Sequence, residues 1–196
     1  MIFTVGHSNH APERLLDLLA CHQVTAIADV RSQPYSRRFP AYNREPFKAW
    51  LRENGIAYVF LGQELGGRSS DPALFDESGR VDYKRLAETT DFQRGIERLR
   101  QGMEVYRIAL LCAEKEPLEC HRGLLVAPCL ADLGVEVVHI LADGSLEPHR
   151  QMEQRLLARY RLDDDLFGES RRQRLERAYR KRASEAAYRL PGTEKS

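Results

Sequence analysis

The sequence predicts an α/β fold: a mainly parallel sheet of about five strands flanked by helices, a Rossmann-like three-layer sandwich, with a charged helical C-terminal extension. Three observations predict it. Short apolar, β-branched runs alternate with longer amphipathic stretches, the order of right-handed strand–helix–strand units. The short runs are nearly continuous in apolar character, as in strands buried on both faces of a parallel sheet. Polar and ionisable residues gather just after these runs, where open α/β sheets bind ligands.

The strands are predicted at residues 2–5, 25–30, 57–60, 105–111 and 135–140. Helical patterns lie between them. Residues 12–22 carry Leu15, Leu16, Leu18 and Leu19; residues 45–54 carry Phe47, Trp50 and Leu51 and stop at Gly55. Residues 91–100 carry Phe92, Ile96 and Leu99, and a further helix runs from about His121 to Leu133 before Gly134. Residues 61–83 break the pattern with Gly62, Gly66, Gly67, Pro72 and Gly79, and read either as a functional loop or as a solvated insertion. From Pro148 the composition becomes strongly charged. The chain thus divides into an α/β domain at residues 1–147, which holds the candidate site, and a charged helical extension at 148–196. Residues 171–182 hold seven bases and the single acid Glu176, a solvated helix or a phosphate-contacting face.

Length and composition exclude several classes. A chain of 196 residues can bury about 70% of its unfolded surface without disulfides or metals. With 30 basic and 29 acidic residues, its net charge of +1 is not that of a globally basic nucleic-acid coat. No apolar run approaches a membrane span, and the first residues lack a signal-peptide pattern. Four cysteines are too few for a disulfide scaffold, so the expected location is the reducing cytoplasm. No cofactor and no membrane partner is predicted, and oligomeric state is not readable.

The residues following each predicted strand form the candidate site. After the first come Gly6, His7, Ser8 and Asn9: His7 suits a general base, while Ser8 and Asn9 either bind ligand or cap the next helix. After the second come Asp29, Arg31, Tyr35, Arg37 and Arg38. Arginines beside aromatic rings suit a phosphate with a stacked base, although Asp29 can equally pair with Arg31 or Arg122. Arg68 follows the third. After the fourth come Cys112, Glu114, Cys120, His121 and Arg122. A helix start near Cys120 favours anions and lowers a thiol's pKa, Arg122 can hold a phosphate or carboxylate, and Glu114 can serve as acid or base. Cys112 can also be plain packing. Cys112, Cys120, His121 and His7 are zinc-ligand types, but there is no Cys-x-x-Cys pair and the gap between the thiols is not a usual finger spacing, so no metal is predicted. A redox disulfide between Cys112 and Cys120 stays open. Cys21 and Cys129 are expected in the core, and His10, His22, His139 and His149 as ordinary structural residues.

Four ordered motifs carry a resemblance: Thr4-Val5-Gly6-His7-Ser8-Asn9, Asp29-Val30-Arg31-Ser32-Gln33-Pro34-Tyr35-Ser36-Arg37-Arg38, Glu64-Leu65-Gly66-Gly67-Arg68, and the run from Cys112 to Arg122. Together they resemble the domain-of-unknown-function 488 family, from about residue 2 to about residue 142. The resemblance implies a bacterial cytosolic α/β domain and no particular reaction. A weaker likeness is to rhodanese-type domains, through Asp29-Val30-Arg31 and a strand ending in Cys112. Those domains place an arginine about five residues beyond the cysteine, whereas here Arg122 is ten positions on, past Pro117. Three readings result. The first is an enzyme that binds a nucleotide or nucleic-acid phosphate at the carboxyl edge of the sheet. The others are a rhodanese-like thiol-dependent transferase using Cys112 or Cys120, and a non-catalytic module binding nucleic acid or another anion.

Overall fold

In the computed structural model, which describes residues 1–164 and 168–190, strands and helices alternate as the apolar pattern requires. In chain order they are β1 (Ile2–Gly6), α1 (Pro12–Cys21), β2 (Ala26–Asp29), α2 (Arg44–Glu53), β3 (Ala57–Phe60), α3 (Gly62–Leu65), α4 (Tyr83–Ala87), α5 (Thr90–Gly102), β4 (Ile108–Cys112), α6 (Ala127–Asp132), β5 (Val137–Ile140), β6 (Leu146–Pro148), α7 (His149–Arg159) and α8 (Arg171–Ala186). A π-helical turn, Arg122–Val126, leads into α6.

The sheet order is β3-β2-β4-β1-β5-β6. The first five strands are parallel, and β6 pairs antiparallel with β5. This sixth strand has three residues, too few for a legible period, and is an addition to the five expected. The chain passes from β1 to β2 leaving a gap that β4 later fills, so the loops after β1, β2 and β4 emerge side by side at one edge.

Helices cover both faces. On one, Leu15, Leu18 and Leu19 of α1 and Phe47 and Leu51 of α2 pack on Phe3, Val5, Ile27 and Leu111. On the other, Phe92, Ile96 and Leu99 of α5 and Leu130 of α6 pack on Ile2, Ala28 and Leu110 together with Met152 and Leu156 of α7 and Ala178 of α8. Each fully buried Leu or Phe contributes about 1.5–3 kcal/mol. Three details depart from expectation. Residues 105–107 precede the strand instead of starting it, and Val105 is 75% exposed. The half-exposed β3 lies at the sheet edge. Cys21 is exposed, not core: the last residue of α1, it falls about 60° outside the Leu18 edge of the buried stripe and about 160° from Leu19.

The charged C-terminal helices are tied to this body. A buried polar line runs from Thr4 Oγ1 to His139 (2.8 Å), from His139 Nε2 to His149 Nδ1 (3.0 Å), and from His149 Nε2 to the Tyr179 hydroxyl of α8 (3.0 Å). The four side chains satisfy one another, so His139 and His149, which the sequence marks only as ordinary structural residues, form one cluster. The bases of α8 are largely spent within the chain. Arg171 pairs with Glu153, Arg177 with Glu169 and Arg182 with Glu185, and Arg174 donates to the carbonyls of Leu162 and Asp163.

Candidate functional site

Beyond the carboxyl ends of β2 and β4 lies a cleft of about 210 Å³. Of the residues proposed from sequence, it collects Arg31, Arg68, Cys112, Glu114, Cys120 and His121. Ser32, Gln33, Gly67, Tyr83 and Tyr188 complete much of the wall.

Cys112 is the last residue of β4 and points its thiol at His121: Cys112 Sγ lies 3.6 Å from His121 Nδ1, and Cys120 Sγ lies 3.8 Å from the same nitrogen. The other ring nitrogen, His121 Nε2, is 2.9 Å from the Val30 carbonyl oxygen. A carbonyl only accepts, so Nε2 carries the proton and Nδ1 presents its lone pair to the thiols. This arrangement favours transfer of a thiol proton to the ring. Hydrogen bonding from Cys120, then the charge and hydrogen bond of His121, hold the Cys112 thiol well below its ordinary range, whereas burial and the Cys112 charge push Cys120 well above it. His121 is raised against its desolvation by the Cys112 charge. These opposite directions favour Cys112 over Cys120 as the thiolate of the pair.

The loop between Cys112 and Cys120 is held from below and behind. Arg122, fully buried, donates from NH1 to the Glu114 carbonyl and from NH2 to that of Lys115. Its guanidinium therefore clamps the loop rather than facing the cleft. From the C-terminal helices, Arg155 of α7 binds Glu116 and Glu147, and Arg182 of α8 donates to the Leu118 carbonyl at 2.7 Å. Gly6 allows the close approach of β1 to this loop: a Cβ there would fall 1.9 Å from the Glu114 carbonyl oxygen. Gly67 serves His121 similarly, with a Cβ 2.8 Å from the histidine's own.

Asp29 and His7 stand behind Arg31. Asp29 accepts from Arg31 Nε at 2.9 Å and NH2 at 2.6 Å and from the Tyr58 hydroxyl at 2.8 Å. Of the alternatives open in the sequence, Asp29 pairs with Arg31. Arg31 NH1 lies 3.4 Å from His7 Nε2, and the His7 ring stacks on Tyr42 at 4.2 Å. Burial and then Arg31 lower the His7 pKa to about 4, so the ring is neutral near pH 7. Glu114 is raised by desolvation and by the Cys112 charge, in the direction that suits an acid.

Other candidates lie apart. Tyr35 is 69% exposed, and Arg37 and Arg38 are exposed on the same loop, outside the cleft wall. Ser8 and Asn9 form a turn, with Ser8 donating from its hydroxyl to Asn9 Oδ1 at 3.3 Å; the cap position of α1 is Ala11, so neither caps that helix. Sequence reasoning missed Tyr58, Tyr83 and Tyr188. Tyr188 lies under the Arg68 guanidinium at 4.8 Å and comes from the far end of the chain, where no local signal connects it with the loop after β3.

The chain matches the family described as Domain of unknown function DUF488 over residues 11–128, more than half of its length. The chain belongs to this family. The matched span contains Asp29, Arg31, Arg68, Cys112, Cys120, His121 and Arg122 of the DUF488 motifs, while Tyr188 and the bracing Arg155 and Arg182 lie beyond it. No curated protein and no solved structure matches the chain. Among the described residues, no helix is long and apolar enough to cross a membrane.

Proposed function

We propose that this DUF488 protein is a thiol-dependent enzyme acting on a small anionic substrate in the cleft beyond β2 and β4. The observation that carries the reading is the convergence of the Cys112 and Cys120 thiols on one ring nitrogen of His121, at the wall of a cleft that Arg31 and Arg68 also line. Cys112 gives its proton to His121 Nδ1 and attacks the substrate's electrophilic atom. The leaving group departs with the bonding pair and takes that proton, leaving the transferred group on sulfur for an acceptor. Arg31, fixed by Asp29, and Arg68 hold the anionic part, and a phosphate or a carboxylate fits this role equally. A nucleotide is one such substrate, with Tyr35 offering an exposed ring outside the cleft.

Alkylation of metal-free protein by two reagents of equal size tests this. Iodoacetate, an anion, reacts faster with Cys112 relative to neutral iodoacetamide than it does with exposed Cys21. Arg68→Ala lowers that preference about threefold or more and leaves the iodoacetamide rate unchanged. Equal reagent ratios at Cys112 and Cys21 would refute the anion-directed cleft.

A further inference from the structure

The three side chains that make the reactive centre also have the shape of a metal site. Zinc held by cysteine sulfur at about 2.3 Å and histidine nitrogen at about 2.0–2.1 Å in a tetrahedron sets its sulfur–nitrogen edges near 3.6 Å. The two sulfur–nitrogen separations are 3.6 and 3.8 Å, and all three donor atoms lie within 4.8 Å of one another. The donors are softly polarisable thiols and an imidazole, the set zinc selects. His121 Nε2 already donates to the Val30 carbonyl, the outer contact that orients a metal-bound histidine, and the Arg122 backbone N–H donates to Cys120 Sγ at 3.5 Å. The spacing that argued against a zinc finger is no obstacle, because the loop between the thiols is pinned by Arg122, Arg155 and Arg182, and the site closes in space rather than along the chain.

We propose that Cys112, Cys120 and His121 bind one zinc ion through both sulfurs and Nδ1, with the fourth position opening to the cleft for water or an anionic ligand. Two thiolates and a neutral imidazole cancel the charge of the ion, and binding releases the protons that the free centre holds. Occupancy turns Cys112 from a nucleophile into a ligand, so zinc switches off the thiol chemistry proposed above. This consequence rests on that reading; the metal site does not.

Full-length protein stripped with a chelator and kept reduced is titrated with zinc chloride against a chromogenic chelator. The expected result is about one zinc per chain, with Cys120→Ser and His121→Gln each weakening binding about 100-fold and Cys129→Ser leaving it unchanged. Cobalt(II) added to the unsubstituted protein gives intense tetrahedral d–d bands and a thiolate charge-transfer band, a readout independent of whether any variant folds. Zinc uptake under about a tenth per chain, an octahedral cobalt spectrum, or unchanged affinity in Cys120→Ser overturns the site. Rapid Cys112 alkylation without zinc uptake overturns the metal site and leaves the thiol reading standing. Zinc uptake with Cys112 as sluggish as an ordinary thiol in the stripped protein does the reverse.

Discussion

Arg122 is the residue whose loss most directly tests the construction of the site. It has no solvent exposure, and two of its guanidinium nitrogens are donated to the carbonyls of Glu114 and Lys115. Replacing it with methionine keeps much of the side-chain length and removes both donors. Each hydrogen bond from a charged group is worth about 1.5–3 kcal/mol, and the abandoned carbonyls add a desolvation cost, so Arg122→Met is expected to destabilise by about 3–5 kcal/mol. A domain of ordinary stability has about 5–15 kcal/mol to lose. Urea unfolding followed by circular dichroism reads the effect: at a slope near 2 kcal/mol/M the midpoint falls by about 2 M with the slope unchanged. Arg122→Lys, which restores one donor, falls between. A loss under about 1 kcal/mol would refute the clamp and return Arg122 to the role of a ligand-facing arginine.

Further predictions follow from neighbouring contacts. Gly6→Ala places a Cβ against the Glu114 backbone, which cannot rotate away. It is expected to cost about 1–3 kcal/mol and to slow Cys112 alkylation, measured on the same sample by urea titration and mass spectrometry. Asp29→Asn leaves buried Arg31 without its carboxylate, an expected loss of about 3–5 kcal/mol that calorimetry reads as a lowered Tm; an unchanged Tm contradicts the ion pair's role. His7 and His149 have folded pKa values near 4, below the usual 6.5, chiefly through burial. Their contribution is whole above about pH 6.5 and shrinks as pH falls toward 4, by about 2 kcal/mol each at pH 5. His121, shifted upward, opposes this in part. Urea midpoints should therefore fall between pH 7.5 and pH 5, less so in His149→Gln, and midpoints that rise on acidification would contradict the assignment.

The parallel sheet was readable because β1, β2, β4 and β5 are buried along their whole length, and continuous apolar runs record that directly. The edge was readable for a related reason: a parallel sheet forces each strand to end at the same side, so residues such as Arg31 and Cys112 could be gathered from strand ends alone. What lay beyond reach was direction and distance. Nothing local tells an arginine that faces a cleft from Arg122, which faces the chain's own carbonyls. Sequence placed Cys112, Cys120 and His121 after the same strand but not their separations, because the intervening turn is shaped by helices arriving some 40 to 60 residues later. The His139–His149–Tyr179 line was invisible likewise, since Tyr179 reads as one aromatic in a charged helix.

The pH dependence of Cys112 alkylation in stripped, reduced protein tests the reactive centre most directly. If the imidazole of His121 holds the thiolate, the rate of carbamidomethylation at Cys112, resolved by peptide mass spectrometry, levels off well below the pH at which exposed Cys21 does, and His121→Gln moves the profile upward. A Cys112 profile that tracks Cys21, or one indifferent to the loss of His121, would contradict it.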